Sequence, residues 1–135
     1  MTKIILIDSN VLLDVVSKDS TWFEWSYSMI EDASNHHELC INPIIYAEVS
    51  IRFTSPQEFD DAFPADDFRR QPIPYSAAFL AGKAHSAYRR RGGTRVSTLP
   101  DFFIGAHALV AGHKLLTRDP RRFRQYFSSV DIIAP

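Results

Sequence analysis

At 135 residues, with 45% hydrophobic and 23% charged side chains, the chain is expected to form one globular unit, 1–135, with a single core. A net charge of −1 excludes a uniformly basic protein, and the lone Cys40 excludes an intrachain disulfide or a cysteine-based zinc centre. No apolar run approaches the roughly 20 residues that cross a bilayer, and no signal-peptide pattern is seen, so a reducing cytoplasm and no membrane partner are expected.

In chain order, residues 3–7 read as a buried strand ending at Asp8, and 9–17 as a helix with an apolar face of Val11, Leu12, Val15 and Val16. "STWFEWSYSMIEDAS" (20–34) starts on a Ser/Thr cap and keeps a Trp22, Trp25, Met29 stripe. A strand is predicted over 38–42. Pro43 then opens a helix, "PIIYAEVSIRF". A third strand is predicted over 71–74. The helix "SAAFLAGKAHSAYRRR" (76–91) closes on Gly92–Gly93, and Pro100 opens "PDFFIGAHALVAG". Strands over 113–117 and 130–133 flank a short helix starting at Asp119–Pro120. This alternation predicts an α/β fold: three layers, α/β/α, around a central, mostly parallel sheet of four to five strands. Ligands of such sheets lie beyond the carboxyl ends of the strands.

Four acids fall at that edge. Asp8 ends the first strand, Asp119 follows the fourth, and Asp101 and Glu48 sit in the helices opened by Pro100 and Pro43. Each has an ordinary structural reading beside a functional one. Asp8 can cap the next helix, Asp101 suits a helix dipole, Asp119 precedes a proline, and Glu48 can be a solvated helix residue. Four gathered carboxylates repel one another unless their pKa values rise or a cation neutralises them. Oxygen donors without His or Cys favour Mg²⁺ or Mn²⁺.

"ILIDSNVLLD", "PIIYAEV" and "LPDFFIGAHALVAGHKLLTRD", with their spacing, resemble the PIN-domain ribonucleases, and more narrowly the VapC-type toxins of bacterial type II toxin–antitoxin pairs. The resemblance covers essentially the whole chain. It implies a metal-dependent endoribonuclease acting on a structured RNA such as a transfer RNA, restrained by a cognate VapB-type antitoxin and expected to form a homodimer. The family's acidic quartet maps onto Asp8, Glu48, Asp101 and Asp119. Asp8, Asp101 and Asp119 would hold Mg²⁺ or Mn²⁺, and Glu48 would orient or deprotonate the attacking water. Asn10 and Thr117 would donate hydrogen bonds that fix the carboxylates.

Positive charge is clumped in "YRRRGGTR" (88–95) and "TRDPRRFR" (117–124), while acids clump in "EFDDAFPADD" (58–67). Arg118, Arg121 and Arg122, with Arg89 and Arg90, are candidate phosphate contacts; for the arginines ending the 76–91 helix, a favourable helix-dipole interaction is an equal reading. Trp22, Phe23 and Trp25 are expected in the core or a dimer surface. No histidine pair has metal-ligand spacing, and His107 should face away from Asp101.

Two rival enzyme or signalling classes fit less well. Haloacid-dehalogenase-type phosphatases also start with a strand ending in Asp, but need a second acid two residues later, where this chain has Asn10. A phosphorylated receiver module needs a Lys at a strand end, whereas Lys114 begins its strand. A non-catalytic interaction module of the same fold is the remaining alternative.

Overall fold

The computed structural model describes residues 3–95 and 98–135. Five strands, β1 (Ile4–Ile7), β2 (Glu38–Ile41), β3 (Phe68–Arg70), β4 (Lys114–Leu116) and β5 (Ile132–Ile133), form one sheet in the order β3-β2-β1-β4-β5. Every pairing is parallel. The predicted mostly parallel sheet of four to five strands is thus five-stranded and wholly parallel.

Among the described residues there are seven helices: α1 (Ser9–Val16), α2 (Phe23–His36), α3 (Pro43–Ser50), α4 (Pro56–Ala62), α5 (Tyr75–Arg90), α6 (Leu99–Ala111) and α7 (Arg121–Tyr126). The helix α1 packs on α2, which lies against β2, while α5 pairs with α6, which lies against β4. Helices on both faces explain why central β1 is a continuous apolar run: Ile5, Leu6 and Ile7 are all fully buried.

Three local readings are corrected. The third strand is Phe68–Arg70, not 71–74, because Pro72 and Pro74 carry no N–H for a ladder and only Gln71 N still bonds, to Ile41 O. The second helix starts at Phe23 instead of Ser20; the Asp19 carboxylate accepts from the Thr21 and Trp22 amides and holds the preceding turn. The last helix starts at Arg121, and Asp119 does not cap it.

Sequence reading passed over α4, hidden in the acidic clump. Its signals are local: Ser55 caps by accepting from the Glu58 amide, Glu58 reaches back to Thr54, and Phe59 and Phe63 are buried one turn apart. Both rings join Phe53 and Phe68 in an aromatic cluster beside β3.

Strand order reverses around β1: the chain runs outward to β2 and β3, then returns to β4 on the other side. The carboxyl ends of β1 and β4 are therefore the natural site for a ligand. The helix α6 begins at that edge and is held along its length. Gly112 closes it in the left-handed conformation (φ 71°), and a Cβ on Gly105 would run into the Phe127 and Phe123 rings, so α6 and α7 sit unusually close.

Candidate active site

Each of the four acids arrives on a different element at this edge. Asp8 follows β1, Glu48 lies in α3, Asp101 in the first turn of α6, and Asp119 in the turn between β4 and α7. Asp8 also caps α1, its Oδ1 accepting from the Ser9 amide at 2.8 Å. Capping and a place in the wall of the cleft at this edge therefore coexist in one side chain.

Hydrogen bonds bind the edge together. Thr117 Oγ1 donates to Asp8 Oδ2 at 2.8 Å, and accepts from the Asp119 amide at 3.1 Å and from Asn10 Nδ2 at 3.4 Å. Thr117 thus contacts a carboxylate directly, while Asn10 acts through Thr117 and the Arg118 amide, which donates to Asn10 Oδ1 at 3.4 Å. Ser9, not singled out from sequence as a site residue, is a bridge: its hydroxyl donates to Glu48 Oε1 at 2.7 Å and lies 3.4 Å from Asp8 Oδ1.

The electrostatics match one shared site. Asp8 is only 4% exposed, and burial pushes its carboxyl up to about 7. The Thr117 and Ser9 bonds pull it down, and Asp101 and Glu48 push it further up. Glu48 is raised by burial, against its Ser9 bond, and by Asp101. Burial also raises Asp101, with Arg122 opposing and Asp119 adding. Asp119 behaves oppositely: its Arg121 hydrogen bond holds it below the usual carboxylate range.

Asp8, Asn10, Asp101 and Asp119 line a predominantly polar cleft of about 400 Å³, completed by Tyr88, Arg95, Arg121, Arg122, Phe123 and Gln125. Glu48 is not in its wall; Ser9, which bonds Glu48, connects it to Asp8. Arg122 Nη1 donates to Asp101 Oδ2 at 3.1 Å and its guanidinium lies 5.5 Å from the Tyr88 ring centre. Arg121 holds Asp119 through Nε at 3.1 Å. Among the described residues no three His, Cys, Asp or Glu side chains converge as a ready ion cage; Asp101 and Asp119 are paired with these arginines. The donor chemistry nevertheless fits a hard dication: three mutually repelling carboxylates with raised proton affinity, a fourth beside them, and no nitrogen or sulfur donor in the cleft wall.

The predicted arginines divide. Arg121 and Arg122 line the cleft; Arg89 and Arg90 are exposed outside its wall, where Arg90 bonds Ser86. Arg118 turns away, its Nε 2.8 Å from the buried Asp14 carboxylate. Tyr88, near the end of α5, and Arg95, beyond it, were not singled out from sequence, since composition does not tell which side chain the fold turns toward the cleft. His107 faces the core, where Asn42 Nδ2 meets its Nδ1 at 3.0 Å. Trp22 is half-buried against Arg118 and forms an edge contact with Trp25.

Comparison with known proteins agrees with this architecture. The family model described as PIN domain matches residues 5–127. No curated protein sequence matches the chain. Among solved structures, VapBC2 from Rickettsia felis bound to a promoter DNA fragment is similar at TM-score 0.72 and 14% identity, covering 97% of this chain and 98% of that one. VapBC-1 from nontypeable Haemophilus influenzae gives 0.71 and 16%, covering 97% of each chain. DNA-bound VapBC from Salmonella typhimurium gives 0.66 and 17%, covering 99% and 98%. These likenesses establish the fold, and the family match over residues 5–127 makes the chain a member of the PIN domain family.

Proposed function

We propose that this protein is a Mg²⁺- or Mn²⁺-dependent endoribonuclease, a toxin of the VapC type that hydrolyses phosphodiester bonds in a structured RNA such as a transfer RNA. Nuclease activity is general to PIN domains, which supports the class of reaction. The observation that carries the reading is the trio Asp8, Glu48 and Asp101. Three elements deliver carboxylates whose proton affinity is raised by burial, and in Asp8 and Glu48 also by the neighbouring acids, beside a cleft flanked by arginines.

Asp8 and Asp101 would hold the ion, with Asp119 completing its surroundings. Bound Mg²⁺ or Mn²⁺ supplies the positive charge that neutralises these acids and polarises the phosphodiester. Thr117 fixes Asp8 in rotation through its hydroxyl, and Asn10 fixes Thr117. Glu48 Oε1, raised in basicity by burial, accepts a proton passed by the Ser9 hydroxyl from the attacking water. Arg121, Arg122 and Arg95 meet the phosphates beside the scissile bond, which places positive charge where negative charge builds up.

A cognate VapB-type antitoxin is the proposed partner, supported by the VapBC complexes that share the fold. A homodimer is supported by the apolar outer face of α5, where Tyr75 is 94% and Phe79 66% exposed. No helix of the described residues is long and apolar enough to cross a membrane, and the proposed site of action is the cytoplasm.

The deciding experiment incubates purified protein with total bacterial RNA in Mg²⁺, in Mn²⁺ or in EDTA, and maps new 5′ ends. Cleavage at discrete positions that needs the ion and disappears in Asp8→Asn and Asp101→Asn is expected. Full ion-dependent cleavage by either variant would falsify the site.

A further inference from the structure

Asp14, near the end of α1, is 3% exposed and lies outside the cleft wall. Its Oδ2 accepts from Ser26 Oγ of α2 and from Arg118 Nε, each at 2.8 Å. The Arg118 guanidinium also lies 5.7 Å from the Trp22 ring centre. A buried carboxylate stripped of its cation is strongly unfavourable, so the two side chains require each other. Arg118 sits between Thr117, whose hydroxyl bonds Asp8, and Asp119, whose amide bonds Thr117 Oγ1. Its own amide donates to Asn10 Oδ1 of α1. Side chain and backbone of one residue therefore tie the β4–α7 turn to α1, and the side chain also reaches Trp22, which leads into α2.

We propose that the Asp14–Arg118 pair is a positioning brace for this turn. It holds Thr117 Oγ1 on Asp8 and keeps Asp119 at the cleft, and neither member of the pair touches substrate. The kinetic consequence rests on the nuclease reading; the geometric consequence does not.

The Asp119 amide reports on the turn directly, and its hydrogen exchange is measured in ion-free protein alongside calorimetric Mn²⁺ titration and RNA cleavage. In Asp14→Asn, Asp119 exchange is expected to quicken about tenfold relative to α5 amides. Mn²⁺ affinity and kcat fall together by about tenfold, with KM for RNA unchanged. Arg118→Lys, which keeps a cation for Asp14, recovers most of each loss. Asp14→Leu with Arg118→Met loses no more than either change alone, because one interaction is removed once. A lowered melting temperature with unchanged Asp119 exchange would reduce the pair to fold stabilisation and overturn the brace. So would a raised KM in Arg118→Met with exchange unchanged, which would make Arg118 a phosphate contact. If the wild-type protein cuts no RNA in Mn²⁺, the nuclease reading fails while Asp119 exchange still decides the brace.

Discussion

Thr117 donates its hydroxyl to Asp8 at 2.8 Å, joining the ends of β4 and β1 across 109 residues of sequence. Both side chains are buried, so this bond is one of two local counterweights to the desolvation that raises Asp8, the Ser9 amide being the other. It leaves the carboxylate one rotation, with its second oxygen on the Ser9 amide.

Replacing Thr117 by Val keeps the shape and removes the donor. The Asp8 carboxyl then rises further, and the Asp119 amide loses its acceptor. Mn²⁺ affinity is expected to fall about 10–100-fold, as for other groups that orient a metal ligand, with kcat falling alongside. Isothermal calorimetry with Mn²⁺ alone checks the first part and a single-turnover cleavage assay the second.

Asp8 sets the stability of the ion-free protein against pH. Its folded pKa, about 7, lies above the unfolded value of 3.8, so its contribution is full below about pH 4 and is lost as pH rises through 7. The full span corresponds to roughly 4 kcal/mol as an upper limit. In EDTA, urea unfolding should show the wild type losing stability relative to Asp8→Asn from pH 5 to pH 8. Asp8→Asn should keep only the slope that Glu48, Asp101 and His107 contribute, and be more stable at pH 8 by roughly 1–2 kcal/mol. Added Mn²⁺ should raise the wild-type melting temperature at pH 8 and leave Asp8→Asn unmoved.

His107 acts on the acid side with the opposite sign. Burial first, then the nearby His113, lower its pKa to about 4, and its Nδ1 is held against Asn42, which caps the helix carrying Glu48. Its contribution is full above about pH 6.5 and is lost as pH falls through 4, by roughly 3 kcal/mol at most. His107→Gln, which can still accept from Asn42, should flatten that acid limb in chemical unfolding between pH 4 and 6. An unchanged slope would assign the acid limb to other groups.

At the proposed ion site, Arg122, which already bonds Asp101, would compete with the dication for that carboxylate. Removing the guanidinium in Arg122→Gln frees Asp101 Oδ2, so Mn²⁺ alone should bind severalfold more tightly than to wild type. RNA binding should weaken at the same time, with its logarithmic salt slope smaller by about 0.7–0.9 for the lost phosphate contact. Weaker Mn²⁺ binding in this variant would mean that Arg122 organises Asp101 for the ion instead of occupying it.

Much of the architecture could be read before any coordinate. Period and punctuation place β1, β2, β4 and β5 and all helices but α4 within a few residues, because Pro43, Pro100, Gly92 and Gly112 act locally. The error at 71–74 is also instructive: apolar character suggested a strand, but pairing needs amides that two prolines lack. The four acids were legible for a comparable reason, since a parallel sheet brings strand ends and helix starts to one edge whatever the loops do.

The sequence by itself determined most of the element types and the edge at which the acids gather, because these follow from periodicity and local backbone chemistry. Only the tertiary structure decided which neighbours each side chain meets. Ser9 became the link between Asp8 and Glu48, Arg118 turned from the cleft to Asp14, and Tyr88 and Arg95 turned into it. Those choices depend on contacts 39 to 109 residues apart, which no window of sequence contains. Burial, the largest influence on Asp8, is likewise a property of the assembled core.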